Sequence, residues 1–120
     1  MAERGQETIS AVALVTGDMA GSVAFYKALG FEVTYGGAEA PFTSLLFGQC
    51  FVNLAFRDVQ TPVPWWGRVI FHVPDVDAVY DLAMAHGFAV EAEPRDAPWG
   101  ERYFHVLDPS GHQLSFAKPL

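Results

Sequence analysis

The sequence predicts an α+β fold in which two tandem βαβββ modules form a cupped mixed sheet. The prediction rests on an internal repeat, on a strand–helix–strand pattern within each copy, and on a composition suited to one compact domain. Of 120 residues, 51% are hydrophobic and 18% are charged, which provides a core and excludes a disordered chain. We expect a single domain over residues 1–120, with modules at 9–56 and 68–118 and a linker at 57–67.

The repeat is seen when the chain is shifted by 57 positions, which takes the segment starting at Ala11 to the one starting at Arg68 without a gap. Asp18 then meets Asp75, and Gly30 meets Gly87. Each copy is one supersecondary unit, and a single unit of this size is too small to bury its own sheet. Two modules, or two chains that exchange modules, are therefore needed.

Each copy begins with an apolar stretch that predicts a buried strand, over residues 12–15 and 69–73. The aspartate that follows can cap a helix by accepting its unpaired N–H groups, and a glycine in the left-handed conformation can end that helix. Three further strands follow in each copy, at 31–35, 42–47 and 50–56 and at 88–92, 102–107 and 112–117. Asp108-Pro109-Ser110-Gly111 is a strong turn signal between the last two strands.

Charge and composition exclude several classes of partner. The formal net charge of −7 opposes binding to nucleic-acid phosphates and weakly favours a cationic ligand. No apolar run approaches the roughly 18 residues of a membrane span, so we expect no membrane partner. Cys50 is the single cysteine, and MAERGQETIS at the N-terminus lacks the apolar region of a secretory signal. These features predict a cytoplasmic protein without an intrachain disulfide.

Two segments resemble a known family. They are D-x-x-x-S-x-x-F-Y-x-x-x-G-F, from Asp18 to Phe31, and PWGERYFHVLDPSGH, from Pro98 to His112. With the tandem modules, they resemble the vicinal oxygen chelate superfamily, which includes glyoxalase I, extradiol dioxygenases and bleomycin-resistance proteins. The resemblance covers essentially the whole chain, and the P-W-G loop is most similar to that of the bleomycin-resistance branch. It implies the glyoxalase/bleomycin-resistance fold and a homodimer with two ligand crevices at its interface.

The resemblance also implies where a metal would bind. Metal enzymes of the superfamily carry His, Gln or Glu ligands at equivalent places on the concave face of both modules. In this sequence those places are occupied by other residue types, which are Ala11, Asn53, Arg68 and Ser115. Alanine has no lone pair to donate, and a protonated guanidinium repels a cation. We therefore expect no metal and no other cofactor.

Other polar residues are candidates for holding a ligand on the concave face. His72 follows Arg68 by four residues, so strand alternation places both on one face. His72 is either a general base or ligand donor, or a hydrogen-bonded histidine at a strand end. Arg68 and Arg102 are expected to point inward, either to clamp an anionic group or to form a buried salt bridge with Glu101, Asp96 or a partner chain.

Pairing across the turn from Asp108 to Gly111 is expected to place Phe104 opposite Ser115, on the concave face. The same pairing turns His105 outward, beneath a helix, and leaves His112 exposed.

The three tryptophans lie in Pro/Gly-containing loops, and they are Trp65, Trp66 and Trp99. Aromatic faces at the rim of a groove can stack on planar ligands and attract cations. The alternative is that they cover the edge of the core or a dimer contact. The expected ligand-binding set is Asn53, Arg68, His72, Trp65, Trp66, Trp99, Phe104 and Ser115.

Three functions are compatible with the sequence. The first is a metal-free protein that sequesters a drug or natural product, either cationic or planar and aromatic, in an aromatic-lined crevice at a dimer interface. The second is a lyase, isomerase or dioxygenase of the same superfamily, either metal-dependent with atypical ligands or cofactorless with His72 as base. The third is a structural adaptor whose crevice binds nothing.

Overall fold

The computed structural model describes residue 5 and residues 7–120. Much of the MAERGQETIS segment, on which the absence of a secretory signal was argued, lies outside the described residues. Within the described part of the chain, neither helix is long and apolar enough to cross a membrane.

The first module contains four strands and one helix: β1 (Ala11–Thr16), α1 (Met19–Ala28), β2 (Glu32–Tyr35), β3 (Phe42–Phe47) and β4 (Cys50–Phe56). The second module repeats this order and adds a short strand: β5 (Arg68–His72), α2 (Val76–Ala85), β6 (Ala89–Val90), β7 (Arg95–Asp96), β8 (Glu101–Leu107) and β9 (Gln113–Pro119). The extra strand β7 pairs with β8 beside the P-W-G loop.

Each module folds into its own mixed sheet. The strand orders are β1-β4-β3-β2 and β5-β9-β8-β6, with the first strand parallel to the last in both modules. The predicted α+β class of two βαβββ modules is confirmed, although the strands are divided between two sheets. Along each strand alternate residues face either the helix or the open concave side.

The helix boundaries follow the predicted capping residues. The Asp18 carboxylate accepts a hydrogen bond from the Gly21 backbone N–H, and that of Asp75 accepts one from Ala78, each at 3.0 Å. Gly30 and Gly87 take positive φ values of 102° and 71° just after the helices. Local sequence therefore fixes both ends of each helix.

A shared aromatic core holds the two modules together. Phe31 and Phe47 of the first module lie against Phe71 of the second, with ring centroids 5.3 and 5.4 Å apart. The ring centroid of Phe25 on α1 lies 4.5 Å from that of Phe88, the residue before β6. Burial of these rings on the helix side of both sheets leaves the concave faces open.

The loop between β8 and β9 forms a polar joint between the modules. Asp108 is 5% exposed, and its carboxylate accepts hydrogen bonds from the Tyr26 hydroxyl at 2.7 Å and from the His112 backbone N–H at 2.9 Å. The Ser110 hydroxyl lies 3.1 Å from that of Thr16 on β1. The turn predicted from sequence thus also connects the two halves.

His112 is buried at this joint, so the expectation that it is exposed is wrong. The Trp66 indole N–H donates to its Nδ1 at 2.8 Å, which leaves Nε2 to donate to the Val15 carbonyl oxygen at 2.8 Å. The linker is held there too, since the Val63 N–H donates to the Ser110 carbonyl. Linker, turn and first module are therefore joined by hydrogen bonds.

Candidate ligand-binding site

The concave face of the second sheet carries polar and aromatic side chains around a small cavity. This cavity, which we call the β8 pocket, has a volume of about 130 Å³ and is lined by Arg68, Ile70, Trp99, Glu101, Tyr103, His105 and Ser115. Alternation along β5, β8 and β9 brings these residues together, because Ser115 pairs with both Ile70 and His105. Of the predicted site residues, Arg68, Trp99 and Ser115 line this pocket.

Trp99 lies at the rim of the β8 pocket and is 67% exposed. Its indole N–H donates to Glu101 Oε1 at 2.9 Å, and its ring stacks on Tyr103 with centroids 5.7 Å apart. The Tyr103 ring is in turn 5.1 Å from the His105 ring. An aromatic surface therefore extends from the rim into the pocket, with Trp99 held in place by one hydrogen bond.

Glu101 connects Trp99 to His72. His72 Nε2 lies 3.0 Å from Glu101 Oε2, and the histidine side chain is 61% exposed. The hydrogen bond from Trp99, and after it the one from His72, lower the pKa of the Glu101 carboxyl from its usual value. The carboxylate is thus ionised and has both oxygens occupied, and His72 shares the concave face with Arg68 as expected.

Arg68 is held by Gln113 and Trp65. Its Nε donates to Gln113 Oε1 at 2.7 Å, and the same oxygen accepts the Trp65 indole N–H at 3.1 Å. The guanidinium carbon lies 5.6 Å from the centroid of the Trp65 ring, a cation–π contact. Trp65 therefore orients Arg68 and does not itself line the β8 pocket.

Phe104 and His105 each lie on the face of the sheet opposite to the one expected. Phe104 is fully buried and packs against Tyr80 of α2 with ring centroids 5.6 Å apart, so it belongs to the core and not to the concave face. His105 pairs with Ser115 and lines the β8 pocket. Both expectations, Phe104 as a lining residue and His105 beneath a helix, are wrong.

The cause is a loop one residue longer than the turn motif suggests. Leu107 pairs with Gln113, so five residues, Asp108 to His112, connect β8 and β9. Gly111 takes φ +93° within that loop, and His112 leaves the strand to bond Val15. A shift of one residue moves every side chain of a strand to the other face.

His105 has an unsatisfied nitrogen. Its Nδ1 is buried and has no hydrogen-bond partner among the described residues. Burial, and after it the nearby Arg68 guanidinium, lower the pKa of the His105 imidazole. The ring is therefore neutral at neutral pH. His105 and Tyr103 are site residues that sequence reasoning missed, although correct alternation along β8 would have found both.

A larger cleft adjoins the β8 pocket. This β1–β5 cleft, of about 330 Å³, lies between the edge strands of the two sheets and is lined by Ile9, Ala11, Val12, Cys50, Phe51, Trp66, Arg68, Val69, Ile70 and Phe71. It shares Arg68 and Ile70 with the β8 pocket. Trp66, predicted to lie at a rim, lines this cleft and is 50% exposed.

Asn53 and Arg102, which were also expected on the concave face, do not line the β8 pocket. Asn53 is on the first sheet, where its Oδ1 accepts the Ser44 hydroxyl at 2.7 Å, and it does not line the β8 pocket. Arg102 does not point inward as expected, because it bonds Asp77 of α2 at 2.9 Å and Asp96 at 3.0 Å. The salt-bridge alternative with Asp96 is therefore right, and Asp77 is a partner that the sequence did not indicate.

The residues at the expected metal positions do not fit a divalent metal. Arg68 is cationic, Ala11 has no donor atom, and the Asn53 oxygen already accepts a hydrogen bond. No group of three or more His, Cys, Asp or Glu side chains in the described part of the chain is placed to hold a metal ion. Strand pairing supports the equivalence of Asn53 and Ser115. Ala11 pairs with Phe51 and Arg68 pairs with Gln113, and Asn53 and Ser115 each lie two residues further along the paired strand.

A profile of the Glyoxalase/Bleomycin resistance protein/Dioxygenase superfamily matches residues 8–116. The chain belongs to this superfamily. An uncharacterized protein of Mycobacterium tuberculosis is 31% identical over 122 residues, covering 89% of this chain and 72% of that protein. The family resemblance inferred from the Asp18–Phe31 and Pro98–His112 segments is confirmed.

Solved structures of the same fold include TioX, a bleomycin-binding protein and a lyase. TioX from Micromonospora sp. ML1 superposes with a TM-score of 0.75 at 25% identity, covering 95% of this chain and 100% of TioX. A bleomycin-binding protein complexed with bleomycin gives 0.77 at 20% identity, covering 96% and 100%. Lactoylglutathione lyase from Agrobacterium tumefaciens gives 0.76 at 21% identity, covering 96% of each chain. The last two likenesses establish the fold alone.

Proposed function

We propose that this protein binds and sequesters a small molecule with a planar aromatic part, without a metal, in a crevice that includes the β8 pocket and the β1–β5 cleft. The observation that carries the proposal is the aromatic surface of Trp99 and Tyr103, which leads into a pocket containing Arg68 and His105. A neighbour of the same fold is a bleomycin-binding protein. We infer the same class of activity, with a different compound as ligand.

The shape of the two cavities supports a drug-sized ligand. Pockets for such ligands have volumes of about 300–1,000 Å³ and combine apolar walls with a few polar groups. The β1–β5 cleft is largely apolar and shares Arg68 and Ile70 with the more polar β8 pocket. One ligand can therefore place an apolar body in the cleft and a polar group in the pocket.

We also propose that the crevice is completed by a second copy of the chain in a homodimer. Apolar side chains stay exposed around the two cavities, with Ile9 77% and Ile70 56% exposed. Exposed apolar groups clustered around a cavity are typical of interfaces. A dimer would cover them and enclose the ligand further.

The test removes the Trp99 ring. We expect Trp99→Ala to weaken binding of a planar aromatic compound by about 1–3 kcal/mol, the usual contribution of one stacked aromatic. Trp99→Phe is the matched control, because it keeps an aromatic face and loses only the bond to Glu101. Affinities of compounds that raise the melting temperature of the wild type are measured by calorimetry.

Two results would count against this site. Equal affinity of the wild type and Trp99→Ala would remove Trp99 from it. Failure of every planar compound to raise the melting temperature would favour the structural adaptor.

A cofactorless enzyme is the second candidate, and the pairing of His72 with Glu101 favours it. A carboxylate 3.0 Å from an imidazole can orient it as a general base. The test measures lactoylglutathione formation in the presence of a chelator, because the lyase of the same fold carries that name. Turnover that is lost in His72→Ala and titrates with one histidine would establish the enzyme, whereas absence of turnover would exclude this reaction.

A further inference from the structure

Three polar groups of the β8 pocket have unused hydrogen-bonding capacity. Arg68 uses only Nε, toward Gln113, and neither of its terminal nitrogens has a partner among the described residues. Ser115 is 3% exposed, and its hydroxyl makes no side-chain hydrogen bond within the same part of the chain. His105 Nδ1 is buried and unpartnered. Arg68 is exposed, so water can reach its free nitrogens, but buried polar groups are normally satisfied, and the unpartnered His105 Nδ1 therefore indicates a missing partner.

The charged groups around the pocket indicate whether the missing partner is an anion or a cation. Glu101 has one oxygen bonded to Trp99 and the other to His72. Glu91 is paired with Arg95 at 2.8 Å. Arg68, by contrast, has no carboxylate partner among the described residues. The oxygens of these nearby carboxylates thus already take part in hydrogen bonds, whereas the charged donors of Arg68 remain free among the described residues.

His105 is compatible with an anionic partner. The charged groups that face it are Arg68 and Arg95, which lower the pKa of its imidazole, and Glu91, which raises it. An anion bound between Arg68 and His105 would favour protonation of the ring. Binding of an anion should then become tighter as the pH falls, with uptake of a proton.

We propose that the β8 pocket binds the carboxylate of a planar aromatic acid, with Arg68, Ser115 and His105 contacting the oxygens and Trp99 stacking on the ring. This rests on the proposed function and specifies its ligand class. The volume of about 130 Å³ suits one end of such a molecule. The net charge of −7 suggested a cationic ligand, but the free guanidinium donors of Arg68 in the pocket favour an anionic group.

The experiment compares three probes of the same shape and different charge: 2-naphthoate, 2-naphthamide and 2-naphthylmethylammonium. Calorimetry at pH 7.5 should give at least about tenfold tighter binding of the naphthoate than of the amide, and weaker binding of the ammonium. Lowering the pH to 6 should tighten naphthoate binding and leave the amide unchanged. Repeating the titrations in buffers of different ionisation enthalpy measures the proton uptake.

Variants separate the carboxylate contact from the stacking contact. Arg68→Gln should abolish the preference for naphthoate and retain the affinity for the amide. Ser115→Ala should reduce the preference several-fold, and His105→Gln should remove its pH dependence. Arg57→Gln is the matched control, because Arg57 lies in the linker and, among the described residues, its side chain donates only to the adjacent Phe56 carbonyl.

The outcomes distinguish the two proposals. Equal binding of all three probes, dependent on Trp99, would overturn the carboxylate site and leave the aromatic crevice intact. A preference for the ammonium probe would do the same and restore the cationic ligand. Absence of binding by every probe would overturn the carboxylate site, and the sequestration proposal would then be decided by the broader thermal-shift screen.

Discussion

At the scale of residues, Asp108 is the side chain on which the joint between the modules depends. Its carboxylate accepts hydrogen bonds from the Tyr26 hydroxyl and from the backbone N–H groups of Ser110 and His112. Burial raises the pKa of this carboxyl, and the three hydrogen bonds only partly offset that effect. Burial also raises the pKa of the Tyr26 hydroxyl, and the nearby carboxylate raises it further. Asp108 and Tyr26 thus stay hydrogen-bonded at the joint although burial disfavours the ionised carboxylate.

The pH dependence of the stability of Asp108→Asn, compared with the wild type, tests this unfavourable burial of the carboxylate. A folded-state pKa above the unfolded value of about 3.9 stabilises the protein below that pH, and the stabilisation is lost as the pH rises through the folded pKa. The amide does not titrate; its oxygen can still accept from the backbone N–H groups of Ser110 and His112, and its NH₂ group can donate to the Tyr26 hydroxyl in place of accepting from it. We therefore expect the free energy of unfolding of the wild type to fall relative to Asp108→Asn as the pH rises from 3 toward 7.

Urea denaturation at a series of pH values measures this difference. Asp108→Ala is the comparison variant, because it loses all three hydrogen bonds and should be less stable than Asp108→Asn at every pH. A difference between wild type and Asp108→Asn that moves in the opposite direction would contradict the account.

Several site residues could be predicted from the sequence, but the long-range contacts of other residues could not. Arg68, Ser115 and Trp99 lie together as expected, because strand alternation and the P-W-G loop are local signals. The bond between His112 and Val15 joins residues 97 positions apart. No local pattern specifies such a bond, so the burial of His112 was missed.

At the scale of elements, the β8–β9 loop decides which side chains enter the pocket. Gly111 takes φ +93°, and a Cβ atom there would lie 2.6 Å from the Pro62 Cβ. The loop and the linker therefore approach too closely for any side chain at this position. The same loop sets the register that places His105 on the concave face.

Gly111→Ala should destabilise the protein by about 2–4 kcal/mol, because it adds a steric clash to an unfavourable φ. Gly48→Ala is the matched control. Gly48 also has positive φ, +60°, but nothing lies within 4 Å of its added Cβ, so its cost should be about 1 kcal/mol. Thermal and urea unfolding compare the two variants, and equal losses would show that the contact with Pro62 is unimportant.

The elements themselves were largely predictable because capping residues and hydrophobic patterns are local. The repeat placed both helices and their aspartate caps correctly. The strand expected at 88–92 is only Ala89–Val90, and β7 was not foreseen. The length of the β8–β9 loop could not be predicted, since the turn motif fits both a four-residue and a five-residue connection.

At the scale of the whole molecule, two sheets share one core and leave their concave faces open. The exposed apolar residues around the β1–β5 cleft support the proposed homodimer, which would cover them. The sequence predicts that one module buries too little by itself, which requires two modules or two chains that exchange modules, and the second copy is implied by the family resemblance. It does not encode the geometry of the dimer in any local pattern.

Sedimentation equilibrium should give twice the 13.1 kDa mass of the chain at micromolar concentration. Ile70→Glu should shift the mass toward the monomer, because it places a charge among exposed apolar groups at the cleft. Leu82→Glu is the matched control on α2, where the leucine is 42% exposed and lines neither the β1–β5 cleft nor the β8 pocket. A monomeric wild type at 100 µM would contradict the dimer.

Binding of a ligand to the aromatic surface at the β8 pocket can be followed through the indole N–H resonances of the three tryptophans. A nitrogen-15 NMR titration of the wild-type protein with a planar aromatic compound follows Trp65, Trp66 and Trp99 separately, once each is assigned by a Phe variant. The account predicts a saturable shift of the Trp99 resonance, with smaller changes at Trp66. An unmoved Trp99 resonance in a titration that shifts other signals would place the ligand elsewhere and contradict the account.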